Sequence, residues 1–107
     1  VALLWLADLE FANGNFQAGL DLLVQAASAG SGSSALRLGR MFAFGDGVPQ
    51  DFATAFTFYM RGAELGNTEA MFWVGQAYRQ GLGVPVNIEL ADEWQAKARA
   101  AGYTGGS

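Results

Sequence analysis

Carboxylates are the side chains best able to do chemistry in this sequence, because it contains neither histidine nor cysteine. That composition excludes thiolate nucleophiles, disulfides, imidazole bases and almost all zinc sites. Catalysis by carboxylates would need them clustered and perturbed, whereas glutamates on helix surfaces are usually solvated charge. We therefore expect a non-catalytic protein with no metal and no cofactor, although four glutamates could in principle supply an acid–base pair: Glu64, Glu69, Glu89 and Glu93.

Two glycine-rich segments, Gly45-Asp46-Gly47 and Gly81-Leu82-Gly83, resemble the loops that hold phosphate groups. A phosphate-binding loop has a lysine after it and a strand before it, and the sequence indicates neither. Asp46 and Asp51 are too few for a calcium loop, which needs alternating acids and a terminal glutamate. Because both segments recur at one spacing, we interpret them as turns between helices.

Composition limits the class of protein and of partner. With 107 residues, 51% of them hydrophobic, the chain is long enough for one domain with a real core. A net charge of −4 argues against nucleic acid, whose phosphates need a basic surface.

The longest apolar run, residues 1–7, is too short to span a bilayer, so we expect no membrane insertion. A chain that begins at Val1 without methionine is consistent with a mature protein or an excised fragment, and bacterial cytoplasm and periplasm fit equally.

An internal repeat is the strongest pattern in the sequence. Residues 39–49 align without a gap on residues 75–85, 36 positions further along. The same spacing leads back from Phe52 to Phe16 and from Gly66 to Gly30, which indicates a first repeat with a shorter turn at residues 13–15. The matched pairs include Gly45 and Gly81, Gly47 and Gly83, Val48 and Val84, Pro49 and Pro85, Ala55 and Ala91, and Gly66 and Gly102.

Each repeat is predicted to form two helices, because apolar residues recur at helical spacing. The predicted helices are 1–12, 16–29, 33–44, 51–65, 68–80 and 87–101. Asp51 and Asn87 are predicted N-caps, and Gly30, Gly66 and Gly102 are predicted to close the second helices. The fold class is therefore all-α: a right-handed α-solenoid of three antiparallel helix hairpins in one domain, with repeats at 1–32, 33–66 and 67–102 and a flexible tail at 103–107.

Small and aromatic residues at matched positions predict the core. Large aromatic side chains at helical spacing usually pack inside, so all three tryptophans are predicted to be core residues: Trp5, Trp73 and Trp94. Glycine within a helix has an energetic cost, which close helix packing can offset. We expect such packing against small residues (Ala7, Ala55, Ala91 and Ala98) at Gly19, Gly39, Gly62 and Gly75.

The two full repeats resemble the Sel-one-like repeat (SLR) family, a relative of the tetratricopeptide repeat (TPR), and the first repeat has TPR length. The resemblance covers residues 1–102 and is most specific in the paired Gly-x-Gly-Val-Pro turns. It implies an adaptor or scaffold that assembles other proteins. The residues that carry it are Leu38-Gly39, Phe42, Gly45, Gly47-Val48, Asp51, Ala55, Phe58-Tyr59, Ala63 and Gly66, then Ala70, Val74-Gly75, Tyr78, Gly81, Gly83-Val84, Ala91, Trp94, Ala98 and Gly102.

The resemblance also implies that the first helix of each repeat lines a concave groove. Its inward positions mix aromatic residues with arginine, types that are enriched at binding hot spots. The alternative is that the phenylalanines pack between repeats and the polar residues are merely solvated. The predicted binding residues are Asp8, Phe11, Leu36, Arg40, Phe44, Phe72, Gln76, Arg79 and Gln80, and the same register places Leu4, Ala12 and Ala43 beside them.

Arg40 and Arg79 are two of only six basic residues. Together they could clamp a carboxylate of an acidic peptide or of a C-terminus. Alternatively, each pairs with a neighbouring acid on the surface, an interaction worth about 0–1 kcal/mol. We favour the second interpretation slightly.

The leading functional prediction is a scaffold that binds a peptide or protein in this groove, since solenoids form extended concave surfaces. The alternative is a structural module, either for self-association or as a spacer within a larger protein. Exposed apolar ends would favour it, because a homodimer or flanking repeats would cover them. The residues that suggest two apolar ends are Val1, Leu4 and Leu9 at one end and Trp94 and Ala98 at the other.

Overall fold

A computed structural model describes residues 2–104 and contains six α-helices in that range. The all-α, repeated-hairpin prediction is confirmed, with each helix within two residues of its predicted bounds. None of these helices is both long and apolar enough to cross a bilayer. They are α1 (Ala2–Ala12), α2 (Phe16–Ser28), α3 (Gly32–Phe44), α4 (Phe52–Glu64), α5 (Thr68–Gln80) and α6 (Ile88–Ala100).

The predicted caps define the helix ends. Asp51 accepts hydrogen bonds from the backbone N–H groups of Ala53 and Thr54, and Asn87 accepts one from Leu90. Hydrogen bonds from Thr54, chiefly from its side chain, hold the pKa of Asp51 below the ordinary aspartate value. At the other ends, α3 and α5 stop at Gly45 and Gly81, whose φ angles of 66° and 74° favour glycine.

The core runs through the hairpins and continues across the junctions between them. One buried cluster joins the first hairpin to α3, and a second joins the middle hairpin to α5. Each repeat therefore depends on its neighbour for burial, as expected of a solenoid. The first cluster contains Ala7, Leu23, Ala27, Ala35 and Leu38, and the second contains Ala43, Ala55, Tyr59, Ala63, Ala70 and Val74.

The helix-interior glycines mostly make room for larger groups than we expected. A Cβ atom on Gly39 would lie 2.6 Å from Cδ1 of Tyr59, and one on Gly19 would lie 2.7 Å from Cε1 of Phe11. The nearest groups at these two positions are therefore rings and not the expected alanines, whereas a Cβ atom on Gly75 would lie 3.0 Å from the carbonyl oxygen of Ala91, one of the expected residues. Gly39 and Gly19 accept aromatic rings, and ring burial offsets their poor helix propensity.

Part of the predicted tail is packed. The ring of Tyr103 lies 5.1 Å from that of Phe72, and its backbone N–H donates a 2.9 Å hydrogen bond to the Ala98 carbonyl. Tyr103 therefore extends the third repeat rather than fraying from it. The rest of the predicted tail beyond Thr104 lies outside the described residues, as does Val1 at the other end.

Candidate binding groove

A groove of about 570 Å³ crosses the junction of the first two hairpins. One wall is a stripe of α3 side chains spaced three and four residues apart, which places them on one helix face. The opposite wall comes from the α1–α2 turn, and the loop after α3 forms one end. The lining residues are Phe11, Phe16, Arg37, Arg40, Met41, Phe44 and Asp46.

The apolar wall depends on a contact between a loop and the preceding hairpin. The rings of Phe11 and Phe16 lie 5.4 Å apart. A Cβ atom on Gly47 would lie 2.4 Å from Cζ of Phe16, so only glycine allows this loop to lie against the ring. In the next repeat, a Cβ atom on Gly83 would lie 2.4 Å from the carbonyl oxygen of Phe52, so this glycine lies against the backbone of the preceding hairpin rather than against a ring. The second glycine of each turn thus docks the loop on the neighbouring repeat.

The charged groups in and beside the groove are ion-paired to different degrees. Arg37 forms an ion pair with Asp8, and its guanidinium lies 5.6 Å from the centre of the Phe11 ring. Arg40 is only loosely paired, because its Nη1 lies 3.8 Å from Oε2 of Glu69 and its side chain is 53% exposed. Exposed pairs of this kind contribute about 0–1 kcal/mol, so an incoming carboxylate can compete for Arg40.

A small apolar cavity of about 60 Å³ adjoins the groove at Phe44, which lines both. Trp73 lies on it, with its ring stacked 5.9 Å from Tyr59 and edge-on to Phe44 at 6.2 Å. The buried Tyr59 hydroxyl has no hydrogen-bond partner among the described residues. Burial raises the pKa of Tyr59 to about 12, and the nearby charges of Arg40 and Glu69 have smaller, opposing effects.

The structure brings together three of the predicted binding residues, Phe11, Arg40 and Phe44, as groove-lining residues. Asp8 lies beside them as the partner of Arg37. Leu36 instead packs against the core of the second and third repeats. Sequence reasoning missed the other four lining residues, of which Phe16 carried a signal in its match to Phe52 at the repeat spacing. The four are Phe16, Arg37, Met41 and Asp46.

The predicted residues on α5 do not line this groove. Arg79 is held within its own hairpin by Asp92 at 2.7 Å and Gln95 at 2.8 Å, and Gln95 also donates to Gln76 at 2.7 Å. Arg79 is therefore a paired surface arginine, as the favoured alternative stated, rather than half of a clamp with Arg40. Of the others, Phe72 packs between Trp73 and Tyr103, and Gln80 is exposed.

The tryptophans divide between core and surface. Trp73 and Trp94 pack against the second core cluster, so the prediction is confirmed for both. It is wrong for Trp5, which is 65% exposed. Trp73 packs on Phe44 and Tyr59 of the preceding hairpin, whereas no described residue covers the corresponding side of α1.

The two outer helices also differ from the expectation of two apolar ends. On α1, Leu9 is 44% exposed as expected, and Leu6 is 38% exposed, but Leu4 packs against the first core cluster and Val1 lies outside the described residues. On α6, Trp94 packs inward and Ala98 is fully buried, so the expectation is wrong there. The outward positions of α6 are charged: Asp92, Glu93, Lys97 and Arg99.

Six helices stacked as hairpins with cores at their junctions define a helical-repeat solenoid. Residues 32–67 and 68–103 each match the Sel1 repeat, and the chain belongs to that family. Sel1 repeat proteins are in general non-catalytic scaffolds for interactions between proteins. The matched segments lie one residue off the second and third repeats predicted above.

Two curated relatives are plant proteins named as components of an E3 ubiquitin ligase. The ERAD-associated E3 ubiquitin-protein ligase components HRD3A and HRD3B of Arabidopsis thaliana are each 31% identical to the chain, over 65% and 69% of its length. The chain spans only 10% and 12% of these relatives. Their likeness therefore concerns the repeat region alone.

Solved structures of bacterial repeat proteins share the fold. A Sel1 repeat protein from Oxalobacter formigenes has a TM-score of 0.88 and 34% identity, over 95% of this chain and 80% of that one. The c5321 antigen of uropathogenic Escherichia coli has a TM-score of 0.84 and 29% identity, over 95% and 23%. Cysteine rich protein B of Helicobacter pylori has a TM-score of 0.77 and 25% identity, over 81% and 65%.

Proposed function

We propose that this chain is a non-catalytic scaffold that binds a protein or peptide partner in the groove of Phe11, Arg40 and Phe44. The observation that carries the proposal is the meeting of exposed aromatic rings and a loosely paired guanidinium on one concave surface. Aromatic residues and arginine dominate the energetics of protein interfaces. A groove of about 570 Å³ is also large enough for several side chains of a partner.

The groove favours a partner segment that carries an acidic group beside an apolar side chain. The Phe44 ring is 64% exposed and offers the largest unburied aromatic surface in the groove. An apolar side chain placed between Phe44 and Phe11 would bury that surface. A carboxylate next to it would replace the 3.8 Å contact of Arg40 with Glu69 by a direct charge-assisted hydrogen bond.

The relatives support a role in assembly. The two curated plant relatives are named as components of a ubiquitin ligase, which is a multi-protein assembly. We extend only the scaffold role to this chain. Among residues 2–104, no group of three or more acids is placed to hold a metal ion.

The test compares partner capture by three forms of the immobilised chain. The groove variant carries Arg40→Glu and Phe44→Ala, and the control variant carries Arg61→Glu and Ile88→Ala, which are exposed residues outside the groove. We expect the control to retain the wild-type partner, identified by mass spectrometry, and the groove variant to lose at least about tenfold in affinity, since hot-spot truncations cost 2 kcal/mol or more. Equal affinity for all three forms, with circular dichroism showing them folded, would count against the groove.

The alternative function is structural: a self-association or spacer module within a larger protein. The observation that favours it is the exposed apolar face of α1, formed by Trp5, Leu6 and Leu9. Sedimentation at increasing concentration tests the self-association form. A dimer that is lost in Leu6→Glu would support it, and a monomer at every concentration would eliminate it.

A further inference from the structure

Helix α1 has the composition of a helix that is covered on all sides. Of its eleven residues, only Asp8 and Glu10 are polar. A helix that is apolar all round is normally buried, whereas a surface helix has one polar face. The other five helices each combine an apolar and a polar face. The composition of α1 therefore indicates that a second surface packs against its outer side.

The repeat register shows what kind of surface that is. Leu6 of α1 corresponds to Leu38 of α3 and to Val74 of α5, both of which are fully buried. Leu38 lies in the cluster with Leu23 and Ala27 of the preceding hairpin. Val74 lies in the second cluster with residues of α4, the second helix of its preceding hairpin. Leu6 is the only member of this set that is exposed.

Two more positions of α1 repeat the pattern. Leu9 corresponds to Met41, which packs against the core of the preceding hairpin. Trp5 corresponds to Arg37, which contacts Asp8 and Phe11 of the preceding hairpin, and to Trp73, which packs on Phe44 and Tyr59 of the preceding hairpin. The counterparts of all three α1 residues therefore make contacts between repeats. The exposed side chains of α1 continue the two interfaces already present in the structure.

We propose that the α1 face of Trp5, Leu6 and Leu9 is a docking surface for the second helix of a further hairpin of this repeat type. The docked helix would lie on α1 as α2 lies on α3. By the pattern of α2 and α4, it would present an apolar residue, a second apolar residue three positions later, and a small residue four positions after that. The pattern is Leu20, Leu23 and Ala27 in α2, and Phe56, Tyr59 and Ala63 in α4.

The α6 face of a second copy of the chain does not fit this description. The α6 residues that correspond to Phe56, Tyr59 and Ala63 are Asp92, Gln95 and Arg99. Burying this charged set against Leu6 and Leu9 would remove its hydration without offering partners. Head-to-tail association of identical chains is therefore disfavoured, and a hairpin whose second helix is apolar fits the α1 face better than α6 does.

The experiment adds one hairpin at either end of the full chain. A copy of residues 33–68 placed directly before Val1 keeps the register, because Val1 corresponds to Glu69. We expect the melting temperature to rise by about 10 °C, since the new junction buries apolar surface. We also expect emission from Trp5, isolated by comparison with Trp5→Phe, to shift to the blue and to lose most of its quenching by acrylamide.

The matched control carries nearly the same hairpin, a copy of residues 32–67, directly after Tyr103, where the register also continues. There the new first helix would meet the charged face of α6, and we expect little change in melting temperature. A second control introduces Leu6→Glu. It should abolish the gain in the N-terminal fusion and have little effect in the unfused chain, where Leu6 is already partly exposed.

Three results would overturn the proposal. The first is equal stabilisation by the two added hairpins, because the ends would then be equivalent. The second is unchanged quenching of Trp5 in the N-terminal fusion. The third is a wild-type dimer that dissociates in Leu6→Glu, because the occupant of the α1 face would then be a second copy of the chain.

Discussion

Helices α1 and α6 occupy equivalent outer places in the array but end it in different ways. The outward side of α6 is charged, and its large apolar residue, Trp94, packs inward. The outward side of α1 exposes Trp5 and Leu6, although both have counterparts that are packed elsewhere in the array. Both belong to the same kind of helix hairpin, α1 as its first helix and α6 as its second. The difference shows that the outward side chains, and not the hairpin fold, determine whether an outer helix presents a charged surface to solvent or an apolar surface on which a partner can pack.

The strongest test of this difference uses two leucines at the same register position. Leu38→Ala removes a fully buried side chain between hairpins, and we expect the free energy of unfolding to fall by about 3 kcal/mol. Leu6→Ala removes a partly exposed one, and we expect a loss below about 1 kcal/mol. Urea denaturation of both variants measures the contrast. Similar losses would mean that the α1 face is already covered in solution.

A smaller effect is expected at Tyr59, which lies in the junction of α4 and α5. Tyr59→Phe keeps the ring and removes a buried hydroxyl without a partner, so we expect the free energy of unfolding to rise by about 1 kcal/mol at neutral pH. Because burial raises the pKa of Tyr59 from 10 to about 12, its neutral form is favoured in the folded chain. That contribution is complete below pH 10 and is lost as pH rises towards 12.

The alkaline part of this prediction is measured by urea denaturation at several pH values between 9 and 12. The wild type should lose stability more steeply than Tyr59→Phe in this range. Tyr78→Phe is the control, because it makes the same change at a ring that is only partly buried. Parallel pH profiles for the wild type and Tyr59→Phe would contradict the assignment.

The smallest expected effect is the difference in stability between two arginine variants. Arg79 forms hydrogen bonds within the third hairpin, whereas Arg40 lies in the groove. Arg79→Ala removes hydrogen bonds to Asp92 and Gln95, and we expect it to cost about 1 kcal/mol of unfolding free energy. Arg40→Ala loses only a 3.8 Å contact with Glu69, and we expect less than about 0.5 kcal/mol. Thermal denaturation at low and high salt measures both. A larger loss for Arg40 than for Arg79 would show that Arg40 serves the fold rather than a partner.

Much of the fold could be predicted because glycine and proline turns recur at a fixed spacing and leave little freedom in the phasing of the helices. The caps Asp51 and Asn87 and the glycines after the helices placed each end to within two residues. Burial at the ends of the array was harder. Trp5 and Trp94 carry the same side chain at helical spacing, but among residues 2–104 only Trp94 is covered by a neighbouring hairpin.

The groove was predicted in part, because register identifies a helix face but not the loops that lean over it. Phe11, Arg40 and Phe44 follow from the face of the first helices. Asp46 and Phe16 line the groove because the glycine turn docks on the preceding hairpin, which is a contact between repeats. The sequence favoured pairing of Arg79 with a neighbouring acid but could not name Asp92 and Gln95 as the partners, since these hydrogen bonds depend on side-chain conformations across a helix pair.

The contact between Gly47 and Phe16 has a consequence for motion as well as for shape. Because the two sides of the groove belong to different hairpins, an opening of the first hairpin away from the second would destroy the groove without breaking the contacts within the third hairpin. A ligand in the groove must therefore suppress that opening. Amide hydrogen exchange in α1, α2 and the loop after α3 should slow when a partner binds, while exchange in α6 keeps its rate.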